Sequence, residues 1–139
     1  MPANLSELRA AARAAREHAY APYSTFAVGA AVETTDGRRF SGANVENASY
    51  GLTICAERTA VFAAVLAGAR RLAAVAVSGP DGTTTTPCGA CRQVLAEFGA
   101  PDVPLTYARA DGGWSDTTLG ELLPVAFDAA ALETARGIA

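Results

Sequence analysis

Charged side chains are scarce in this sequence, and they do not cluster by sign. They make up 18% of the 139 residues, below the roughly 25% of a typical soluble domain. The formal net charge is −3, and the only adjacent arginines are the pairs Arg38-Arg39 and Arg70-Arg71. Because proteins that bind nucleic acids neutralise phosphates with a cationic surface, the composition argues against a nucleic-acid partner and favours a small molecule.

Long hydrophobic runs and an export signal are also missing. The longest apolar run, Val61 to Ala69, is too short to span a bilayer. Glu7, Arg9 and Arg13 interrupt the amino-terminal region, which therefore lacks the apolar core of a signal peptide. We expect no membrane segment and a reducing, cytoplasmic compartment. There, cysteines serve as thiols or metal ligands, and an odd count of three argues against a disulfide framework.

The length suits a single domain over residues 1–139 with one core. The hydrophobic pattern and the turn residues predict helices and strands in alternation. They are a helix over 5–19, a hairpin of strands over 28–33 and 39–45, a helix over 54–67, a strand over 72–78, a helix from Pro87 to Gly99, a strand over 103–108 and a short helix over 119–123. Thr53 and Thr86 are the expected N-caps of the two central helices. This order predicts an α/β fold, with a mixed sheet between helices.

All three cysteines lie at the starts of the two predicted central helices. Cys88 and Cys91 are three positions apart, so both thiols face one side of a first turn. Cys55 belongs to the first turn of the preceding helix. Helix N-termini favour thiolates, and thiolates bind zinc. Cysteines can also be plain buried residues, but this constellation predicts a metal site.

A fourth protein ligand for the metal is hard to find. His18 is the only histidine, and it falls near the end of a separate helix, where an ordinary surface or capping role is expected. Structural zinc sites are closed by four protein ligands, whereas catalytic sites leave a position for water. Three cysteines therefore predict one catalytic zinc ion per chain.

Glu57 and Arg58 follow the first cysteine directly. A carboxylate in the first turn can simply suit the helix dipole, but beside a zinc ligand Glu57 can also take a proton from metal-bound water. The pattern ligand-x-Glu followed by Pro-Cys-x-x-Cys is the signature of zinc-dependent deaminases. Arg58 opposes the dipole, so we expect it to offset the excess negative charge of three thiolates; a solvent-facing arginine is the alternative.

With these residues placed, the sequence resembles the small homotetrameric zinc-dependent cytidine deaminases over nearly its whole length. Five segments carry the resemblance: Tyr23-Ser24-x-Phe26-x-Val28-Gly29-Ala30-Ala31, Gly42-x-Asn44-Val45-Glu46-Asn47-Ala48-Ser49-Tyr50, Cys55-Ala56-Glu57-Arg58, Pro87-Cys88-Gly89-Ala90-Cys91-Arg92-Gln93, and Leu122-Leu123-Pro124 followed by Phe127.

The resemblance implies a three-layer α/β/α fold with a five-stranded mixed sheet. It also implies that Cys55, Cys88 and Cys91 bind zinc and that Glu57 is the proton shuttle. The implied substrate-binding residues are Asn44 and Glu46 at the ribose hydroxyls with Val45 between them, Phe26 beside the nucleoside, the backbone of Ala56 at the pyrimidine carbonyl, Phe127 on the base in a neighbouring subunit's site, and Tyr50 near that shared boundary.

The residues themselves agree with these implied contacts but leave alternatives. Asn44 and Glu46 alternate along an extended segment, so their side chains emerge on the same side, and an amide with a carboxylate suits vicinal hydroxyls. Asn44 could instead make local turn hydrogen bonds. Phe26 and Phe127 could be ordinary core residues.

The expected activity is hydrolytic deamination of free cytidine and deoxycytidine to uridine and deoxyuridine, as in pyrimidine salvage. Zinc lowers the pKa of its water, Glu57 takes the proton, and the resulting hydroxide attacks the amino-bearing ring carbon. Three alternatives remain open: a deaminase of another aminopyrimidine such as blasticidin S, a polynucleotide-editing deaminase, and a non-catalytic zinc module that needs a fourth ligand.

Overall fold

A computed structural model of the chain describes residues 3–137. It contains five α-helices and five β-strands within those residues. The helices are α1 (Leu5–Ala15), α2 (Ala56–Leu66), α3 (Gly89–Phe98), α4 (Leu119–Leu122) and α5 (Ala129–Ala135). The strands are β1 (Gly29–Thr34), β2 (Arg39–Ala43), β3 (Leu72–Ser78), β4 (Pro104–Ala108) and β5 (Trp114–Thr118). Short 3-10 helices span Arg16–His18 and Tyr50–Leu52.

The strands form one five-stranded sheet in the order β2-β1-β3-β4-β5. Only β3 and β4 pair in parallel, and the other three pairs are antiparallel. The mixed five-stranded sheet expected from the resemblance is therefore confirmed. The parallel pair brackets α3, because a parallel connection needs a crossover element.

The two faces of the sheet are covered by different helices, which gives the expected three layers. Val75 and Val77 of β3 belong to the core on the α2 side, whereas Ala74 and Ala76 pack with Leu8 of α1 on the other side. The period of two along the strand produces this division. Hydrophobic residues on alternate positions thus bury both faces.

Small residues allow the helices to approach the sheet closely. A Cβ at Gly29 of β1 would overlap the carbonyl oxygen of Ala12 and lie 2.7 Å from the backbone nitrogen of Arg16. On the opposite face, a Cβ at Gly42 of β2 would overlap Thr59 and the backbone of α2. Buried alanines such as Ala30, Ala60 and Ala64 fill the α2 contact. Close packing therefore fixes α2, whose first residue follows Cys55.

The central helices begin later than the sequence predicts. Cys55 (φ −75°, ψ 157°) and Cys88 (φ −67°, ψ 168°) are extended and occupy the N-cap positions of α2 and α3. Thr53 and Thr86 are thus wrong as N-caps. The chain before α2 stays extended because Ile54 pairs with Val45 in an isolated β-bridge.

Other differences concern element ends and two unpredicted elements. The first helix ends at Ala15 and continues as a 3-10 turn to His18. Strand β2 ends at Ala43, before the predicted Val45. The residue pattern missed β5 and α5 altogether. Among residues 3–137, no helix combines the length and the apolar character that a bilayer crossing requires.

Candidate active site

The three cysteine sulfurs converge where α2 and α3 begin. Cys55 and Cys88 are the N-cap residues, and Cys91 lies in the first turn of α3. The three Sγ atoms lie within 4.8 Å of one another, and those of Cys55 and Cys88 are 3.7 Å apart. Tetrahedral zinc with Zn–S distances of about 2.3 Å holds its sulfurs roughly 3.8 Å apart. The donor set therefore fits one zinc ion.

The same convergence leaves a coordination position without a protein ligand. The three cysteines are the one potential metal-binding group of three or more side chains found across residues 3–137. His18 lies elsewhere, in a separate cavity with Ser41 and Thr59. Three sulfur ligands without a histidine as the fourth ligand match the arrangement of a catalytic zinc site rather than a closed structural one.

Arg58 lies against the sulfur cluster, with its Nη2 donating to Cys55 Sγ at 3.3 Å. Hydrogen bonds from the Cys91 thiol and from Arg58 lower the pKa of the Cys55 thiol to about 5. The pKa of Cys91 is raised, because its proton is shared with Cys55 and because the thiol is buried. Of the pair, the thiolate belongs on Cys55, whose sulfur accepts the hydrogen bond from Arg58 Nη2. Zinc binding requires all three thiols to ionise, which increases the negative charge beside Arg58.

Glu57 is a buried carboxylate next to this cluster, with 4% of its surface exposed. Burial raises the pKa of its carboxyl group, and the nearby Cys55 thiolate raises it further. A carboxyl group whose pKa is raised binds a proton more readily than an exposed glutamate does. The arrangement can therefore move protons beside a metal ion.

A cavity of about 260 Å³ opens in front of Glu57 and the cysteines. Its lining contains four of the predicted substrate-binding residues together with polar groups that the sequence reasoning missed. The lining residues are Ser24, Phe26, Val28, Asn44, Glu46, Thr53, Cys55, Ala56, Glu57, Thr85, Thr86 and Cys88. Of the missed residues, Ser24 had a signal in the sequence, since it belongs to the segment that carries Phe26.

Asn44 and Glu46 both bind the segment that contains Phe26. The buried Asn44 accepts a hydrogen bond from the Val28 backbone N–H (2.9 Å) and donates to the Phe26 carbonyl (2.8 Å). Glu46 Oε1 accepts from the backbone N–H groups of Tyr23 (2.9 Å) and Ser24 (3.1 Å). The Ser24 hydroxyl donates to Glu46 Oε2. These bonds lower the pKa of Glu46, with the Ser24 side chain as the main cause.

The remaining predicted substrate-binding residues lie outside this cavity. Val45 is half exposed and forms β-bridges with Tyr20 and Ile54. Tyr50 lines an adjoining cavity of about 400 Å³, where its ring meets Tyr23 edge-on at 6.2 Å. The two cavities adjoin because they share lining residues.

Phe127 is also outside the cavity and is 60% exposed. Its carbonyl oxygen accepts a hydrogen bond from Gln93 Nε2 of α3 (2.8 Å). It lines a separate cavity between α3 and α5. Within one chain, Phe127 is thus not among the residues that face Glu57.

Fold and site together define the class of protein: an α/β/α deaminase with three cysteine ligands for zinc. The model of the family described as "Cytidine and deoxycytidylate deaminase zinc-binding region" matches residues 3–107, and the chain belongs to this family. A cytidine deaminase from Halalkalibacterium halodurans is 51% identical over 115 residues, covering 83% of this chain and 87% of the relative. One from Mycobacterium tuberculosis is 48% identical over 120 residues, 86% of each chain.

Solved structures give the same result. The crystal structure of the cytidine deaminase from Burkholderia pseudomallei has a TM-score of 0.84 and 53% sequence identity, covering 90% of this chain and all of that one. The fold and the family expected from the sequence are therefore confirmed, as is zinc as the cofactor. Because the close relatives carry the name cytidine deaminase, the alternative of a blasticidin S deaminase is not favoured.

Proposed function

We propose that this protein hydrolyses free cytidine and 2′-deoxycytidine to uridine or 2′-deoxyuridine and ammonia. The observation that carries the proposal is one cavity that brings together a three-sulfur metal site and a buried carboxylate with a raised pKa, Glu57. Relatives at 51% and 46% identity are named cytidine deaminases, which supports the same substrate for this chain.

Glu57 performs the proton transfers of the reaction. Zinc held by Cys55, Cys88 and Cys91 supplies a Lewis acid that lowers the pKa of water. The Glu57 carboxylate takes a proton from the attacking water, whose oxygen bonds to the amino-bearing ring carbon, and passes that proton to the adjacent ring nitrogen. Glu57 then moves the hydroxyl proton of the adduct to the amino group. The carbon–nitrogen bond breaks, ammonia leaves, and the carbonyl of the product forms.

Arg58 balances the charge of this metal site. Its guanidinium contacts Cys55, and three thiolates exceed the charge of one zinc ion by one negative unit. Thiolate ligands donate charge to the metal and weaken its pull on water. The arginine withdraws part of that charge, which favours ionisation of the water.

The contacts to the base are made by Phe26 and Ala56, both of which line the cavity beside Glu57. Phe26 packs beside the nucleoside, and the backbone of Ala56 meets the pyrimidine carbonyl. Ala56 is the first residue of α2, so its N–H group has no partner within the helix and is available to a ligand.

Asn44 and Glu46 bind the sugar through the donors and acceptors of their side chains that have no partner within the described part of the protein. Three of the four lone-pair sites of the Glu46 carboxylate are occupied by Tyr23 and Ser24. Asn44 retains one N–H and one lone pair. A single hydroxyl that donates to Glu46 and accepts from Asn44 uses this capacity. Recognition through one hydroxyl fits the 3′ position, which cytidine and 2′-deoxycytidine share.

The charge of the two adjoining cavities favours nucleosides over nucleotides. Among the described residues that line them, the titratable side chains are carboxyl, phenol and zinc-binding thiol groups, and arginine and histidine are not represented. A 5′-phosphate would therefore lack a cationic side chain as partner and would be repelled by Glu46, whose lowered pKa keeps it ionised. The family description includes deoxycytidylate, so this selectivity distinguishes between two substrates that the family name covers.

Ultraviolet absorbance with purified protein tests the activity. We expect turnover of cytidine and 2′-deoxycytidine, and a much lower kcat/KM for deoxycytidylate, free cytosine and blasticidin S. Comparable kcat/KM for deoxycytidylate would contradict the charge argument. X-ray absorption should show three sulfur ligands and one oxygen; four protein ligands would contradict a catalytic zinc and favour a non-catalytic module.

For the assembly, we propose a homotetramer of single-domain chains with shared sites. Phe127 stacks on the base in a neighbouring subunit's cavity, with Val45 and Tyr50 near the subunit boundary. Support comes from the exposure of large apolar side chains, including Phe62 (49%), Leu66 (90%) and Phe127 (60%), since such surface marks interaction sites. The use of all three cysteines as metal ligands rather than in disulfides favours a reducing, cytoplasmic location.

A further inference from the structure

We propose that Ser24 is a positioning residue for sugar recognition, whose hydroxyl ties the carboxylate of Glu46 to the backbone of Phe26. The inference rests on the proposed function, because it takes Glu46 and Phe26 as nucleoside contacts. Its content is that the affinity for the 3′-hydroxyl depends on a side chain that does not itself bind the sugar.

The direction of the hydrogen bonds at Ser24 is fixed by the groups around it. The backbone N–H of Phe26 donates to Ser24 Oγ at 3.0 Å, so the hydroxyl accepts there. Its single proton is therefore directed to Glu46 Oε2, because a carboxylate accepts only. The hydroxyl thus links one polar contact of the cavity to the residue that forms its aromatic wall.

The backbone between these two residues would not keep this shape by itself. Thr25 has φ +58°, a conformation that β-branched residues rarely adopt. The turn is held by hydrogen bonds from the Thr25 N–H to the Ala21 carbonyl (3.0 Å) and from the Thr25 hydroxyl to the Ser24 carbonyl (2.6 Å). Glu46 adds two bonds to the backbone on the amino-terminal side. The turn is therefore maintained by its partners, not by its own preference.

Phe26 is held on both sides of its peptide. Its N–H is bound by Ser24 and its carbonyl by Asn44. Without the Ser24 hydroxyl, Glu46 Oε2 loses the bond that orients it, and the Phe26 N–H loses its acceptor. The carboxylate would then be held through Oε1 alone, and fixing the orientation of Oε2 on binding one hydroxyl would cost more entropy. The loss should fall on the sugar contact rather than on the chemistry at Glu57, which belongs to a different element.

The test compares ligands that differ only in the 3′-hydroxyl. In the Ser24→Ala zinc enzyme, we expect KM for cytidine and 2′-deoxycytidine to rise about tenfold, as for one hydrogen bond to a charged group, with kcat changed less than twofold. The ratio of the inhibition constants of 2′,3′-dideoxyuridine and 2′-deoxyuridine should fall towards one. Ser24→Thr keeps the hydroxyl and should restore both quantities, and Ser6→Ala on the exposed side of α1 is the matched control.

Several outcomes would overturn the proposal. An unchanged KM in Ser24→Ala, or an equal loss of affinity for both inhibitors, would show that the hydroxyl does not act through the sugar contact. If Ser24→Ala loses zinc or unfolds, Ser24→Cys preserves the volume with a weak donor and must show the same falling ratio. A wild-type enzyme that does not turn over cytidine would refute the proposed function itself, whereas an active wild type with an unaffected Ser24→Ala would refute only this inference.

Discussion

Glu57 and Arg58 are adjacent in the first turn of α2 and lie beside the same three sulfurs, but different interactions act on each of them. Glu57 is buried, and its pKa is raised by that burial. Arg58 is held by charge, through its contact with Cys55. Loss of the first should stop proton transfer, whereas loss of the second should weaken the site without removing its chemistry.

Replacing Glu57 by glutamine should abolish most activity and leave the metal in place. The amide has the same shape and does not disturb the three sulfurs, but it cannot accept and return a proton. We expect kcat to fall by at least the roughly 10²–10⁴-fold typical of general acid–base residues. Steady-state kinetics with elemental analysis measure both effects. Glu17→Gln, an exposed glutamate outside the cavity, is the control; near-normal turnover of Glu57→Gln would show that another group moves the proton.

Replacing Arg58 by alanine should have a milder effect on both metal retention and turnover. Removal of the guanidinium leaves the thiolate charge unbalanced and reduces the acidity of the water. Partners of metal ligands typically contribute roughly 10–100-fold, and we expect a loss in that range. Arg58→Lys should lie between wild type and Arg58→Ala, because it keeps the charge without the fork of donors. Zinc release to a chelator and kcat are the measurements, and no change in either would mean that Arg58 has no part in the site.

At the scale of elements, the contact between α1 and β1 requires a residue without a side chain. Gly29→Ala would place a methyl group against the Ala12 carbonyl and the Arg16 backbone nitrogen, neither of which can rotate away. Overpacking of this kind typically costs about 1–3 kcal/mol, and urea unfolding should show a loss in that range. Gly51→Ala meets no atom within 4 Å and should change the free energy of unfolding by much less. Equal effects of the two would contradict the close-packing argument.

The sequence predicts the central helices well and their first residues poorly. The hydrophobic pattern and the turn residues locate both helices, but the N-caps are Cys55 and Cys88 instead of the predicted Thr53 and Thr86. The cause is not local. Ile54 pairs with Val45, and this contact between distant segments keeps the chain extended up to Cys55.

Strand β5 shows the same limit of sequence reasoning. The guanidinium groups of Arg9 and Arg13 stack over the ring of Trp114, with their Cζ atoms 5.8 Å and 5.4 Å from the ring centroid. Asp116 pairs with Arg9, a residue 107 positions away in the sequence. A polar, partly exposed strand has no strong pattern of its own, so its partners determine it. The fifth strand is predicted only by the resemblance to the family, not by the residue pattern.

Within the site, the metal centre is more predictable than the substrate cavity. The spacing of Cys88 and Cys91 and the position of Glu57 after Cys55 are short-range signals, and the structure brings these residues together. The hydrogen bonds of Asn44 to the Phe26 segment join residues that no local pattern connects. The nucleoside contacts therefore came from the resemblance, and their roles remain predictions.

At the scale of the whole molecule, the proposed shared-site assembly can be tested by mixing two impaired variants. Phe127→Ala should lower substrate use by about one to two orders of magnitude, since aromatic stacking on a base contributes roughly 1–3 kcal/mol and 1.4 kcal/mol is a factor of ten. Mixed with Glu57→Gln after dissociation of both, it should form some hybrid sites with intact Glu57 and intact Phe127. Activity should then be partly regained.

The mixing experiment has two controls. Each variant dissociated and reassociated alone should stay at its own low activity, and light scattering should report a tetramer throughout. An active monomer, or no regained activity despite demonstrated hybrids, would contradict the shared site. Either result would return Phe127 to a role within its own chain, where it lies against α3 and α5.

The alanine contacts between α2 and the sheet restrict how this sequence can diverge. Ala30, Ala60 and Ala64 are buried and have only a methyl group to lose, so nearly every substitution there adds volume. Added volume would push α2 away from β1 and β2. Substitutions at exposed positions are therefore tolerated more easily than substitutions at these alanines. The distance between α2 and the sheet should change little as the sequence evolves. Because Cys55 is the N-cap of α2, its position relative to the sulfurs of Cys88 and Cys91 should be preserved together with that distance.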